Sequence, residues 1–289
     1  MLRILGNIPC QLEILRLMKY PVYAEILPLN PRFAIKFAAD DYLVRDISVP
    51  ERKTCFIHHY TRLRDILPDS LLHRILHQNV CLYEFLEEET KYRVTAHLSR
   101  PWDKEGELSF NLELNGVDIY VVSFSIVPGS IVKSRVPEVI LISRLQGMKG
   151  KYRLIQCATK AMNDVAPSFL LLAALQGFGE AFDIREIVGV SAVRQSAYSD
   201  CQAEIFQKAY DDFFNDLGAV MGPENLFTCP IPIPDKPLTE IKRGHKLRTK
   251  EKRAFKRQVI EAVRRFFQTN QRTADDRSFL GQRRSDIPA

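Results

Sequence analysis

The sequence predicts an α+β fold, a mixed and mainly antiparallel sheet flanked by helices, and three observations predict it. The first is Asn115-Gly116, set between the alternating run Glu107–Leu114 and a second apolar run, Asp118–Val127. Asn-Gly supplies the positive φ values of a two-residue type I′ turn, so these runs form a β-hairpin. The second is a change of period, from strand-like alternation before residue 144 to helical spacing after it. The third is the order of elements: helices, then four or five sequential strands, then strand–helix–strand–helix–strand. A meander that passes into crossovers gives a mixed sheet.

Taken in order, residues 1–50 read as an N-terminal wrap, with an amphipathic stretch at Leu12–Met18 and breaks at Pro21, Pro28 and Pro31. Arg62–Leu76 carries a helical apolar stripe broken at Pro68, with Asp69 or Ser70 placed to cap its second part. CLYEFL and KYRVTAHL follow as strands, then the hairpin, then a strand at Val139–Arg144. Helices are predicted at Leu154–Met162 and Ser168–Phe182, a strand at Ile187–Val190, and a helix over Cys201–Leu217 ended by Gly218. Leu226–Cys229 is the last strand. The proline-rich stretch 230–237 reads as a stiff linker to a basic helix, Glu240–Phe267. The domain plan is thus a wrap (1–50), a core (51–237), a basic helix (238–267) and a disordered tail (268–289). There is no internal repeat.

Composition narrows the classes. A chain of 289 residues with 46% hydrophobic content buries a sizeable core. Six scattered cysteines lack any C-x-x-C spacing, which argues against a zinc ribbon or a disulfide framework and suits a reducing compartment. No apolar run reaches the length of a transmembrane helix, and the N-terminus is interrupted too early for a signal-peptide core, so a cytoplasmic location is expected, with the inner-membrane periphery open. The net charge of +6 is a property of the C-terminal end. Residues 240–289 hold 15 Lys and Arg against 6 Asp and Glu, leaving 26 against 29 for the body.

The central functional lead is the loop Arg144-Leu-Gln-Gly-Met-Lys-Gly-Lys151, between a strand and a helix. Backbone N–H groups, a helix N-terminus, Lys149 and Lys151 suit a phosphate or pyrophosphate. The competing account is an ordinary turn with solvated lysines. His58-His59-Tyr60 groups three polar aromatic side chains. Read as a strand, it puts at most His58 and Tyr60 in one pocket, where one of them serves as a general base, against a purely hydrogen-bonded structural role. Lys160 reads as a solvated helix residue. His73 and His77 stand four apart on a helix, a spacing able to bind metal, but no acid lies between them and the sequence places no third ligand, so no metal is expected. Glu240–Arg265 has 11 Lys and Arg against 3 Asp and Glu with apolar residues interleaved. Such a segment suits an anionic membrane surface, a lipid headgroup or nucleic acid, or else docks on its own domain.

Several of these stretches, in order, resemble the VirK/YbjX family: His58-His59-Tyr60, Glu105-Gly-Glu-Leu108, Ser123-Phe-Ser-Ile126, Leu145-Gln-Gly147, Ala158-Thr-Lys160, Gly189-Val-Ser191, Tyr210-Asp-Asp-Phe-Phe214, and Glu240-Ile-Lys-Arg243 with His245. They span about residues 45–260. The resemblance implies a bacterial protein linked to virulence, envelope stress and resistance to antimicrobial peptides, without implying a reaction. The chain departs from the family at Ala192–Ala197, where polar residues including Asn and His are usual, and at Phe214, where Trp is common.

The same order resembles the GNAT acyltransferase fold: a hairpin, a strand ending in a Gln/Arg-x-x-Gly-x-Gly/Ala loop, a helix, a splayed strand, and a helix closing with Phe-Tyr-x-x-x-Gly-Phe. Arg144-Leu-Gln-Gly147-Met-Lys149 meets the first four loop positions and lacks the small sixth residue. Phe214 stands where those enzymes often carry an acid tyrosine, and Tyr210 lies one turn earlier. This resemblance implies an acyl-CoA or related phosphorylated donor held by Arg144, Gln146, Gly147, Lys149, Gly150 and Lys151. A backbone N–H of the preceding strand would polarise the thioester, and Tyr210 would act as general acid; the competing account of Tyr210, which the residues favour, is a helix residue whose ring packs under the sheet. The alternative is a non-catalytic adaptor that meets an anionic membrane or nucleic acid through Lys242–Arg265.

Overall fold

The computed structural model describes residues 8–99 and 104–272, with side chains from residue 12. The expected disordered tail therefore lies, from residue 273 on, outside the described residues. Short helices α1 (Ile8–Met18), α2 (Pro21–Ala24) and α3 (Ile26–Leu29) form the proline-broken N-terminal segment, followed by α4 (Val49–Ile66) and α5 (Asp69–His77). Strands β1 (Val80–Glu87), β2 (Thr90–Leu98), β3 (Leu108–Leu114), β4 (Val117–Pro128) and β5 (Glu138–Gly147) come next. Then follow α6 (Tyr152–Ala161), α7 (Pro167–Ala181) and β6 (Glu186–Val190). Helix α8 (Ala203–Phe206), a π-helical turn (Gln207–Asp211) and α9 (Asp212–Leu217) lead to β7 (Val220–Met221), β8 (Leu226–Pro230) and α10 (Lys246–Thr269).

The eight strands make one sheet in the order β1-β2-β3-β4-β5-β6-β8-β7. All neighbouring pairs are antiparallel except β5 with β6. The mixed, mainly antiparallel α+β plan is therefore present. At the hairpin, Asn115 and Gly116 have φ values of 49° and 80°, the positive pair that a type I′ turn requires.

Helix α7 is apolar on every side, and such a helix must be covered on every side. It lies on β3 and β4, where Phe178 packs against Phe110 and Phe124, and α10 covers its outer surface. Phe255, Val259, Val263 and Phe267 are the buried stripe of α10, so the basic helix is docked on its own chain. Helix α4 packs against β4, an interior strand of the sheet.

Two local expectations are corrected. His58-His59-Tyr60 lies inside α4, not on a strand. That helix starts much earlier than the apolar stripe showed, at a capping box in which Ser48 and Glu51 satisfy each other's backbone N–H, with Pro50 in the first turn. Neither Asp69 nor Ser70 caps α5. Pro68 occupies the cap position, and Asp69, in the first turn, bonds Tyr20 and Arg272 instead.

Candidate functional site

Strands β5 and β6 pair only from Ile140–Ile187 to Ile142–Gly189, whereas β5 stays paired to β4 as far as Gly147. Beyond Ile142 the two central strands part, and the edge of β5 facing β6 is without a partner strand from Ser143 to Gly147. The parting coincides with a β-bulge, because Ser123 pairs with Arg144 and Phe124 with Ile142, leaving Ser143 as the extra residue. Bulges re-aim side chains and recur beside active sites.

Three buried polar atoms near the parting have no hydrogen-bond partner: Ser143 Oγ on β5, and Ser191 Oγ and Gln195 Oε1 just after β6. Orphaned atoms of this kind are uncommon in folded proteins and call for an explanation. Gln195 is fixed by its other end, which donates to the Val190 carbonyl at 2.9 Å.

The π turn spans the opening. Tyr210 is hydrogen-bonded by the backbone of Leu145 on β5, and the next residue, Asp211, accepts the Ala192 N–H after β6 at 2.8 Å. Single π turns inside α-helices are frequent at functional sites. Burial pushes the Tyr210 hydroxyl well above its ordinary pKa, with Glu105 adding to the rise; the Leu145 bond and Arg144 act the other way. Burial therefore favours the neutral phenol at Tyr210 over its anion. Around it, Arg144 Nε lies 3.2 Å from Gln146 Oε1 and 3.6 Å from Glu105 Oε2, and Ser196 Oγ donates to Glu105 Oε1 at 3.1 Å.

The glycine loop continues directly from this edge. Its N–H groups are partly used internally, Met148 donating to Ile119 and Lys151 to Met148. Gly147 serves packing: a Cβ there would lie 2.8 Å from Ile155 Cδ1 of α6. Gly150 adopts φ 77° with open space around it. Helix α6 begins without a side-chain cap, leaving its first-turn N–H groups available beside Lys149 and Lys151.

The predicted residues thus separate into three groups. Tyr210, Arg144 and Gln146 meet at the opening, with Gly147, Lys149, Gly150 and Lys151 leading away from it. His58 does not join them: its Nε2 lies 3.2 Å from Glu138 Oε2, at the other end of β5, where Arg62 Nε also holds Glu138 at 2.8 Å. Tyr60 is wholly buried and donates to Glu107 Oε2, while Lys36 Nζ pairs with Glu107 Oε1 at 3.3 Å. Two residues apart on a helix is about 200° of rotation, so His58 and Tyr60 share no pocket. Sequence reasoning missed Ser143 and Gln195, which carry no motif of their own, and did not single out Ser191 within Gly189-Val-Ser191 or Glu105 within Glu-Gly-Glu-Leu, whose contexts were legible but whose surroundings were not.

A cavity of about 550 Å³ lies elsewhere, between α7, α10 and the proline-rich segment. Its floor includes Phe169, Leu172, Ala173 and Ile233, and its rim carries Lys236, Lys252, Arg253, Lys256 and Arg257 with Asp164, Asp216 and Asp235. The segment read as a linker is therefore a wall of this cavity.

The family model described as "Protein of unknown function (DUF535)" matches residues 1–262, and the chain belongs to that family. It is 23% identical over 256 residues to "Uncharacterized protein YbjX" of Escherichia coli (strain K12), covering 86% of this chain and 74% of the relative. This agrees with the VirK/YbjX resemblance. No solved structure matches. Among the described residues, no helix is long and apolar enough to cross a membrane.

Proposed function

We propose that the chain binds an acyl-CoA-type donor in the opening between β5 and β6 and transfers or senses its acyl group. The observation that carries this reading is the parting of β6 from β5 beyond Ile142, where β5 runs on to Gly147 and leads straight to the start of α6. An extended arm rich in amides is held by such an edge as an added strand would be. Its pyrophosphate then meets the uncapped N-terminus of α6, with Lys149 and Lys151 adding charge. The parted parallel pair, the glycine loop and the helix after it support a GNAT-like core.

In the transfer, an amine or hydroxyl attacks the thioester carbonyl carbon while a backbone N–H at the bulge stabilises the developing oxyanion. The carbon–sulfur bond breaks as the Tyr210 hydroxyl passes its proton to the departing sulfur and takes up the proton shed by the attacking amine or hydroxyl, so that Tyr210 ends as the neutral phenol. The VirK/YbjX kinship supports a cellular role in envelope stress or antimicrobial-peptide resistance.

Calorimetry with acetyl-, octanoyl- and palmitoyl-CoA tests the reading. Micromolar binding of at least one is expected, weakened about tenfold in Lys149→Glu/Lys151→Glu by loss of phosphate contacts. Absence of binding by the unaltered chain contradicts it. Gly147 is a poorer probe, because a side chain there presses on Ile155 of α6 and mixes packing with binding.

The cavity beside α10 favours a second reading, an adaptor that takes an anionic lipid headgroup with part of its acyl chain. Five cations face three carboxylates on its rim, over a largely apolar floor. Binding to anionic vesicles that falls steeply with salt and is lost in Lys252→Glu/Arg257→Glu supports it; salt-insensitive binding, or none, counts against it. Truncation before α10 would strip the cover from α7 and is uninformative.

A further inference from the structure

We infer that Glu25, His73 and His77 form a divalent metal site, with Zn²⁺ as its natural occupant class, that clips the N-terminal segment to α5. The sequence offered two histidines one helical turn apart and no third ligand. The fold supplies the third. Glu25, the residue joining α2 to α3, brings its Oε2 to 3.0 Å from His73 Nε2 and 3.6 Å from His77 Nε2. All three donor atoms lie within 4.8 Å of one another.

Two observations point to an ion. In tetrahedral coordination with metal–ligand bonds of about 2.0–2.1 Å, donor atoms sit roughly 3.3–3.4 Å apart, and the two measured separations bracket that edge. In addition, His77 Nε2 is shielded from solvent and has no hydrogen-bond partner. An ion pair without a metal seats His73 on Glu25 at 3.0 Å but leaves His77 Nε2 only the longer 3.6 Å approach to the same oxygen, with no hydrogen bond. A cation at the common focus satisfies all three. Two imidazoles and a carboxylate, without thiolate, suit Zn²⁺ and neighbouring first-row ions, and the fourth position is open to water.

Glu25 and His73 are about half exposed, so an ion enters and leaves without unfolding the chain. Occupancy then stabilises the native state by mass action, because the ligands come from two segments that the ion holds together.

Zn²⁺ titrated into the metal-free full-length chain by calorimetry tests the site, with Co²⁺ absorbance reporting coordination geometry. One ion per chain is expected, with Glu25→Gln and His73→Ala each weakening binding about tenfold or more, in line with losing a ligand. His97→Ala and His245→Ala leave it unchanged. The Co²⁺ complex of the unaltered chain shows the intense bands of four-coordination, and saturating Zn²⁺ raises the thermal midpoint of the unaltered chain but not of His73→Ala. Unaltered protein that binds no tighter than a His73→Ala/His77→Ala variant shown by circular dichroism to be folded overturns the proposal, as does a six-coordinate Co²⁺ spectrum indifferent to His73.

Discussion

Single residues in this molecule are set by what their neighbours demand. His59 is fully buried, and its Nδ1 accepts the Ile126 N–H at 3.0 Å, which places the proton on Nε2. Burial, then the nearby His58 and Lys36, hold its pKa well below the usual 6.5. The folded state therefore keeps His59 neutral, while the unfolded chain takes up a proton once pH falls below about 6.5. Stability present above that pH is lost as pH falls, by up to about 1.4 kcal/mol per unit from this group. Urea unfolding at pH 7 and 5.5 should show that loss, and His59→Gln should flatten it.

Glu107 has the opposite difficulty, a charge with no water at all. Lys36 and Tyr60 hold it, so Lys36→Met, which removes the cation and leaves only the Tyr60 bond, should cost about 3–5 kcal/mol, read from denaturant midpoints. Phe214 explains its own identity. A Cβ on Gly189 would lie 2.1 Å from the Phe214 ring, which also stacks on Phe227. Gly189→Ala should destabilise by about 1–3 kcal/mol, as overpacking does, and Phe214→Leu should recover part of that loss.

Elements were legible wherever a local signal and a burial pattern agreed. The Asn-Gly hairpin, α7 and the glycine closing α9 all follow from short-range chemistry. Helix α4 was misread because its most conspicuous residues, His58-His59-Tyr60, are poor guides to period, while Ser48-Val-Pro-Glu51 went unused. Ser48→Ala should destabilise by about 0.5–2 kcal/mol, the range for a lost N-cap, measured by thermal unfolding. Alternation on β3 was also visible, but not that its polar face would be buried. Ser99, Ser109 and Ser123 form a hydroxyl chain with 2.8 Å links, and Glu113 is held by Asn79, Arg93 and Thr95. No periodicity distinguishes a polar face in water from one sealed inside.

At the scale of the whole molecule, the residues of the candidate site gather only because the sheet changes character at β5, where a parallel neighbour joins an antiparallel meander. An antiparallel meander brings Arg144 and Gln146 to its edge, a parallel crossover returns β6 beside it, and the helix after β6 delivers Tyr210 and Asp211. Sequence could place the glycine loop, but the bulge at Ser143 and the approach of Glu105 are long-range products of register. The same holds for Glu25, which only tertiary packing sets beside two histidines. The basic C-terminal end, prominent in the charge count, is in part neutralised within the fold: Arg248 pairs with Asp164, and Arg253, Lys256 and Arg257 surround Asp235.

The opening between β5 and β6 is the claim on which the functional account stands, and amide hydrogen exchange with and without palmitoyl-CoA tests it most directly. The account predicts slowed exchange at residues 143–147 and in the first turn of α6. Protection confined to 233–236 and 252–257, at the cavity beside α10, or no change at either place, would contradict it.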